Sequence, residues 1–197
     1  AAQFRQIVMA AAARQDFYHR GRIPSFFAPP TTAMQHRLRA SIAYREQRWG
    51  DSVQALSDAE SSERAISGVC DDVAFDELRD MDDLVGPVLE VLTGDGRYFW
   101  LGFEQIRELS FESATRPRDL YCRTCRLVTR DGTEGVIFVP VLYDGSANSS
   151  DPLANLGRST TWLHKENAPV RGIGQRAWLV GTMDRAVMEV KHIRFDV

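Results

Sequence analysis

Residues 75–106, FDELRDMDDLVGPVLEVLTGDGRYFWLGFEQI, constrain the fold more than any other part of the chain. Two apolar runs, 85–92 and 98–103, flank Thr93-Gly94-Asp95-Gly96-Arg97. Gly-Asp-Gly supplies the positive φ angles that a tight hairpin loop needs, and runs rich in Val, Leu and aromatics favour strands. The stretch therefore predicts a β-hairpin. Tyr98-Phe99-Trp100-Leu101 is apolar on both strand faces, which predicts a central strand covered on both sides. Such a hairpin seeds the core of a β-rich domain. An acid-rich lead-in (Asp76, Glu77, Asp80, Asp82, Asp83) runs straight into it.

Upstream the pattern is helical. Residues 4–19 carry Phe4, Ile7, Val8 and Ala11 at helical spacing, with Gly21 as the C-cap. The proline-rich stretch 22–30 cannot be helix and reads as an ordered linker, its Phe26 and Phe27 pinned against the body. Thr31 or Thr32 caps a second helix reaching Trp49, Gly50-Asp51 breaks it, and a third helix runs from Asp51 to about Arg64. Small residues at Ala40, Ser52 and Ala59 allow close helix approach, while Trp49 and Leu56 fill the gap. The pair resembles one tetratricopeptide unit, although Trp and Tyr are missing where that consensus wants them in the first helix. A lone repeat cannot bury its own face and must pack on something else.

Beyond Arg64 the periodicity becomes alternating. Residues 66–74 read as a linker, 104–109 as a short amphipathic segment and 116–119 as a turn. A second hairpin spans 121–129 and 136–143, 144–156 is a polar surface loop, and 160–163, 176–180 and 187–195 are short strands. The predicted class is α+β: N-terminal helices with one TPR-like helical hairpin (residues 1–65) packed on a mostly antiparallel β domain (residues 66–197).

The composition limits what such a domain does. With 197 residues, 44% of them hydrophobic, there is ample material for a core, and a net charge of -3 gives no general attraction to nucleic acid or acidic lipid. Three cysteines form no disulfide framework, which favours a reducing compartment. No apolar run approaches the roughly 20 residues that cross a bilayer, so no membrane insertion is expected. Residues 7–13 imitate a short secretory segment, but Arg5 and Arg14 bracket them and they read as helix. The chain opens without Met, as a fragment would.

Candidate chemical motifs yield to plainer readings. Cys122-Arg123-Thr124-Cys125 lies in strand-like surroundings, where residues three apart point to opposite faces and no helix dipole activates a thiol. Structural zinc would need a second such pair, while Cys70, His164 and His192 are scattered. Asp80-Met81-Asp82-Asp83 suggests divalent-metal chemistry, with Glu90 as the nearest further acid, and a small metal-dependent hydrolase is the alternative reading of the chain. Leu84, however, stands where a calcium loop needs a ligand. An ion-paired acidic turn is the favoured reading, with Arg79, Arg97, Arg158 and Arg176 as partners. Gly172-Ile173-Gly174-Gln175-Arg176-Ala177 imitates a dinucleotide loop, yet a strand follows it where that motif requires a helix. No serine elbow exists, and His19 and His36 read as solvated surface residues. No catalytic, metal or cofactor site is predicted. Four tryptophans, Trp49, Trp100, Trp162 and Trp178, are core residues or partner anchors.

One ordered set of phrases carries a family resemblance. It includes Gly21-Arg22-Ile23-Pro24, the helical hairpin, Phe75-Asp76-Glu77-Leu78-Arg79-Asp80-Met81-Asp82-Asp83, Gly86-Pro87-Val88-Leu89-Glu90-Val91 and Gly96-Arg97-Tyr98-Phe99-Trp100. Arg118-Asp119-Leu120, Phe138-Val139-Pro140-Val141-Leu142-Tyr143, Leu156-Gly157-Arg158-Ser159-Thr160-Thr161-Trp162 and Gly172-Ile173-Gly174-Gln175-Arg176 complete it. In this order they resemble the ImpE/SciE/TagJ family of bacterial type VI secretion accessory proteins. The family usually has more helices ahead of the position of Phe4, and apolar or aromatic residues where this chain has its Cys pair. The resemblance implies a cytoplasmic, non-enzymatic adaptor without cofactor. Its implied protein partners are the small contractile-sheath subunit, held through its N-terminal helix, and the Clp-type ATPase that recycles contracted sheath. Such recognition lays an amphipathic helix in a groove. The groove is expected between the helical hairpin and the β domain, with Trp49, Trp100, Trp162, Asp80, Asp82, Asp83, Arg158 and Arg176 as candidate partner-binding residues.

Overall fold

A computed structural model of the protein describes residues 2–196, so the first and last positions of the two expected segments lie outside it. Helix α1 (Ala2–Arg20) ends at Gly21, whose φ of 80° fits the predicted cap. Strand β1 (Ser25–Phe26) follows within the stretch read as linker. It adds in parallel to the edge of the central hairpin, Ser25 opposite Phe99, and Phe27 stacks on the Phe99 ring at 4.3 Å.

Helix α2 (Thr32–Arg45) starts where predicted, the Thr31 Oγ1 accepting from Met34 N–H at 3.3 Å. It ends earlier than expected. The break is made by Gln47 at a φ of 59°, and Trp49 opens α3 (Trp49–Glu60) instead of closing α2. Gly50 does not break the chain here, because a glycine that would weaken a helix interior is tolerated in the first turn of α3. The close approach of α2 and α3 is as expected: Ala40, Ser52 and Ala59 are fully buried, and the Ser52 hydroxyl donates to Ala40 O at 2.9 Å.

The β part contains the predicted hairpin as β5 (Val88–Thr93) and β6 (Tyr98–Gly102). Residues 85–87 stay outside the strand, since Pro87 lacks a donor and Gly86 takes a φ of 49°. Residues expected as linker and acidic turn form three further strands, β2 (Gly68–Cys70), β3 (Val73–Phe75) and β4 (Leu78–Asp80). The amphipathic segment becomes β7 (Ile106–Phe111), and the second hairpin is β8 (Cys122–Thr129) with β9 (Glu134–Pro140). The polar loop contains a 3-10 turn at Ser146–Asn148 and one short α-helix, α4 (Pro152–Asn155). Five strands complete the chain: β10 (Thr160–Leu163), β11 (Arg171–Gly174), β12 (Ala177–Val180), β13 (Met183–Ala186) and β14 (His192–Phe195).

The main sheet runs β1-β6-β5-β9-β8-β7-β14-β2-β3, flanked by a β13-β12-β4 sheet and a β10-β11 ribbon. Apart from β1 against β6, the strand pairings among the described residues are antiparallel, and the class is α+β as predicted. Strand alternation splits the interior into two layers. Leu89, Val91, Phe99 and Leu101 pack towards Trp178 and Val180, while Val88, Leu92, Tyr98 and Trp100 pack towards Ile7, Ala10 and Phe17 of α1. Cys125 and Cys122 fall into the first and second layers respectively, on opposite faces as the strand reading requires.

Candidate functional site

On the α1 side of β5 one position is not apolar. Glu90 sits between Val88 and Leu92 with no exposed surface, and a buried carboxylate must be paired. Arg14 of α1 clasps it with two bonds, Nε at 2.9 Å and Nη2 at 3.0 Å, and Tyr18 donates at 3.0 Å. Tyr98 and Arg176 donate as well. The second terminal nitrogen of Arg176 reaches Asp80 Oδ2 at 2.9 Å, and Tyr143 donates to Asp80 Oδ1 at 3.0 Å. One residue pair further, Arg171 Nε meets both oxygens of Asp82, at 2.9 and 2.7 Å, while Gly172 N–H donates to Asp82 at 3.1 Å. Three arginines and three carboxylates thus compensate one another behind α1.

The two ends of this network are held differently. Burial alone would raise the Glu90 pKa, but Arg14 and Arg176 outweigh it and hold the carboxyl well below the usual range. At Asp80 burial wins over the attraction of Arg176, and the nearby charge of Asp82 adds to it, so the pKa is pushed up to about 6. Against the two strong donors on Glu90, Asp80 has one cation and a like-charged neighbour.

In front of the network lies an open cleft of about 460 Å³. Phe17 and Tyr18 reach it from the end of α1, Tyr44 and Arg45 from the last turn of α2, and Trp49 from the first turn of α3. The β part contributes Leu84, Asp144, Lys165 and Arg171. Tyr44 and Trp49 pack edge to face at 4.8 Å, and Lys165 Nζ lies 5.0 Å from the centre of the Trp49 ring. Arg171 lies 5.3 and 5.0 Å from the ring centres of Tyr18 and Tyr44. Gln47, in its left-handed conformation, also lines the cleft, which places stored backbone strain at its edge.

The predicted site residues separate in the folded chain. Trp49, half-buried, lines the cleft. Asp80, Asp82, Trp100 and Arg176 are shielded from solvent, each exposing 1% or less, and so are not the surface charges and ring that were expected. Their spacing resembled a charged rim because the sequence does not reveal which arginines fold over them. The favoured ion-paired turn is what the chain builds, with Arg176 on Asp80 and Arg79 3.7 Å from Asp83. Arg97 pairs instead with Asp95, and Arg158 is exposed with no carboxylate partner among the described residues. Asp83 is half-buried and accepts from Val170 N–H at 2.7 Å. Trp162 sits half-buried on β10, its ring against Tyr143.

Arg171, Tyr18, Tyr44 and Lys165 escaped the sequence reading. Their signal was weak: an arginine immediately before a strand glycine, and tyrosines that complete helical stripes. The acids of the turn do not converge as a cation would require, and among the described residues no three His, Cys, Asp or Glu side chains form a group that could hold a metal. Burial pushes the thiols of Cys122 and Cys125 up to about 11 and 12, which leaves both protonated at neutral pH. No helix among the described residues is long and apolar enough to cross a membrane.

Comparison with known proteins agrees with this architecture. A crystal structure of a Vibrio parahaemolyticus protein superposes with a TM-score of 0.89 at 23% identity, covering 99% of this chain and 73% of that one. The type VI secretion system accessory component TagJ of Pseudomonas aeruginosa is 29% identical over 186 residues. That alignment covers 94% of this chain but 64% of the relative, so the chain spans less than two thirds of the relative's length. The family description "ImpE protein" matches residues 72–194, a segment that contains Asp80, Asp82, Glu90, Arg171 and Arg176. The chain belongs to the ImpE family.

Proposed function

We propose that this protein is a non-enzymatic accessory of a bacterial type VI secretion system. It acts in the cytoplasm as an adaptor that grips the N-terminal helix of the small contractile-sheath subunit and assists its handling by the Clp-type disassembly ATPase. The observation that carries this reading is the aromatic-walled cleft of about 460 Å³ where α1, α2 and α3 meet the β part. A groove at that junction suits an amphipathic helix that lays its apolar stripe against Trp49 and Tyr44. The family membership and the Pseudomonas relative, a type VI secretion system accessory component, support the setting. Asp83, Arg158 and Trp162 serve as further contacts of the same partner outside the cleft.

The hydrolase alternative is poorly supported. Its acids are already committed, Asp80 to Arg176 and Asp82 to Arg171, and neither has an open face for a cation.

The test is titration of a fluorescently labelled peptide copying the sheath subunit's first helix with this protein. Binding is expected, and Trp49→Ala is expected to weaken it by at least about tenfold, as for a buried aromatic anchor. Unchanged affinity in Trp49→Ala would remove the cleft from the interface. Unchanged binding in Arg158→Ala would remove that residue from the outer contacts.

A further inference from the structure

Arg171 is used incompletely by its own chain. It is only 7% exposed and lines the cleft, yet its hydrogen bonds among the described residues run from Nε alone, both to Asp82. Neither Nη group donates a hydrogen bond among the described residues, and neither is among the buried polar atoms left without a partner. Both therefore keep some exposed surface, and Arg171 is among the residues that line the cleft. By contrast Arg176 uses both Nη groups on carboxylates and Arg123 uses both on backbone carbonyls, with the Nε of each left without a partner. The open guanidinium is also fixed in place, held between the rings of Tyr18 and Tyr44 and anchored at its Nε.

The charge around it points the same way. Asp144 is occupied by Gln15 and His19, whereas Arg45 and Lys165 have no carboxylate partner among the described residues. The cleft therefore presents surplus positive charge around a preorganised planar fork. A fork of this kind matches a carboxylate through two parallel bonds, which a single ammonium cannot do.

We propose that Arg171 is the carboxylate receptor of the cleft: a Glu or Asp side chain on the docked helix seats in its open fork, with Lys165 alongside. This rests on the reading that the cleft takes a partner's helix, and it names the side chain by which that helix is recognised. The apolar residue on Trp49 then gives affinity, while the acid fixes register along the groove.

The experiment uses the peptide of the sheath subunit's first helix and a second version with every Glu and Asp changed to Gln and Asn. The native peptide is expected to bind wild-type protein at least about tenfold more tightly than the amide version, the share of a charge-assisted bond. Arg171→Lys, which keeps a cation on Asp82, should abolish that preference while the urea midpoint holds. Lys165→Glu, on an exposed loop, should weaken the native peptide and favour one carrying Lys at the acidic position. Equal binding of the acidic and amide peptides overturns the proposal and leaves the docking reading standing. If neither peptide binds, the docking reading fails. Titration with N-acetylglutamate amide, followed by NMR at the Arg171 Nε–H signal, then decides: a saturable shift keeps the carboxylate site, and none removes it.

Discussion

Arg176 and Asp80 lie 96 residues apart in the chain and meet in the interior at 2.9 Å, with no surface of either side chain exposed. The same guanidinium also reaches Glu90, so one arginine joins the β4 turn to the central hairpin. Arg14 adds α1 to that point from the other side. The cleft is thus assembled on a charged hub, and the hub's titration should be visible in stability.

Asp80 gives the sign. Its folded pKa of about 6 lies above the ordinary value of 3.8, so the folded state binds the proton more tightly than the unfolded one. Its contribution is fully favourable below about pH 4 and is lost as pH rises through 6, a change of about 3 kcal/mol. In Asp80→Asn this slope should vanish. Urea unfolding of both proteins at pH 4.5 and 7.5 measures it, and the variant should gain relative to wild type at the higher pH. A difference that does not change with pH would show that Asp80 titrates normally.

Glu90 has the opposite dependence. Its depressed pKa makes it stabilising above the ordinary carboxylate range, and that stability is lost as pH falls below it. Glu90→Gln keeps the shape but leaves Arg14 and Arg176 with Asp80 as the remaining acid of the hub. Breaking a buried pair in this way costs roughly 3–5 kcal/mol. Equilibrium unfolding at pH 7 should show that loss; one below about 1 kcal/mol would mean that water enters the hub and replaces the carboxylate.

How far the sequence foretold this follows from the range of each interaction. The β5–β6 hairpin and the α2–α3 pair were legible because their partners are neighbours in the chain and their turn and small-residue signals are local. β2 and β3 were missed although they pair locally, Cys70 opposite Val73, because the turn between them takes its positive φ angles at Asp71 and Asp72 without a glycine and strands of three residues have no periodicity of their own; the other partner of β2, β14, lies more than a hundred residues away. The acidic turn was read correctly as ion-paired, yet its place was misjudged: the pairs carry Asp80 and Asp82 inside rather than to a rim. A groove between the helical hairpin and the β part was expected with Trp49 in it, but the rest of its lining was beyond reach, since it comes from three residues each of α1 and α2, one of β11 and four separate loop positions.

The cysteines provide a test of burial. Cys70, Cys122 and Cys125 are each buried, and burial raises all three thiols, to about 11 for Cys70 and Cys122 and about 12 for Cys125. A thiol reagent at pH 8 should modify the native protein slowly and all three residues at once after unfolding in urea. Fast modification of Cys122 or Cys125 without urea would reopen a redox role for the pair.

The glycines of Gly172-Ile173-Gly174 are required for contact, not for phosphate. A Cβ on Gly174 would meet the Ser159 carbonyl oxygen at 2.1 Å, and the residue holds a φ of 97°. Backbone cannot retreat from that clash as a flexible side chain would, so Gly174→Ala should cost about 3 kcal/mol or more in urea unfolding. A Cβ on Gly172 would instead meet the Tyr143 ring at 2.3 Å. That ring can move, but its hydroxyl then leaves Asp80, so Gly172→Ala should cost less overall and raise the pH at which the Asp80 slope appears. Equal losses in the two variants, or an unmoved slope in Gly172→Ala, would separate the glycine packing from the charged hub.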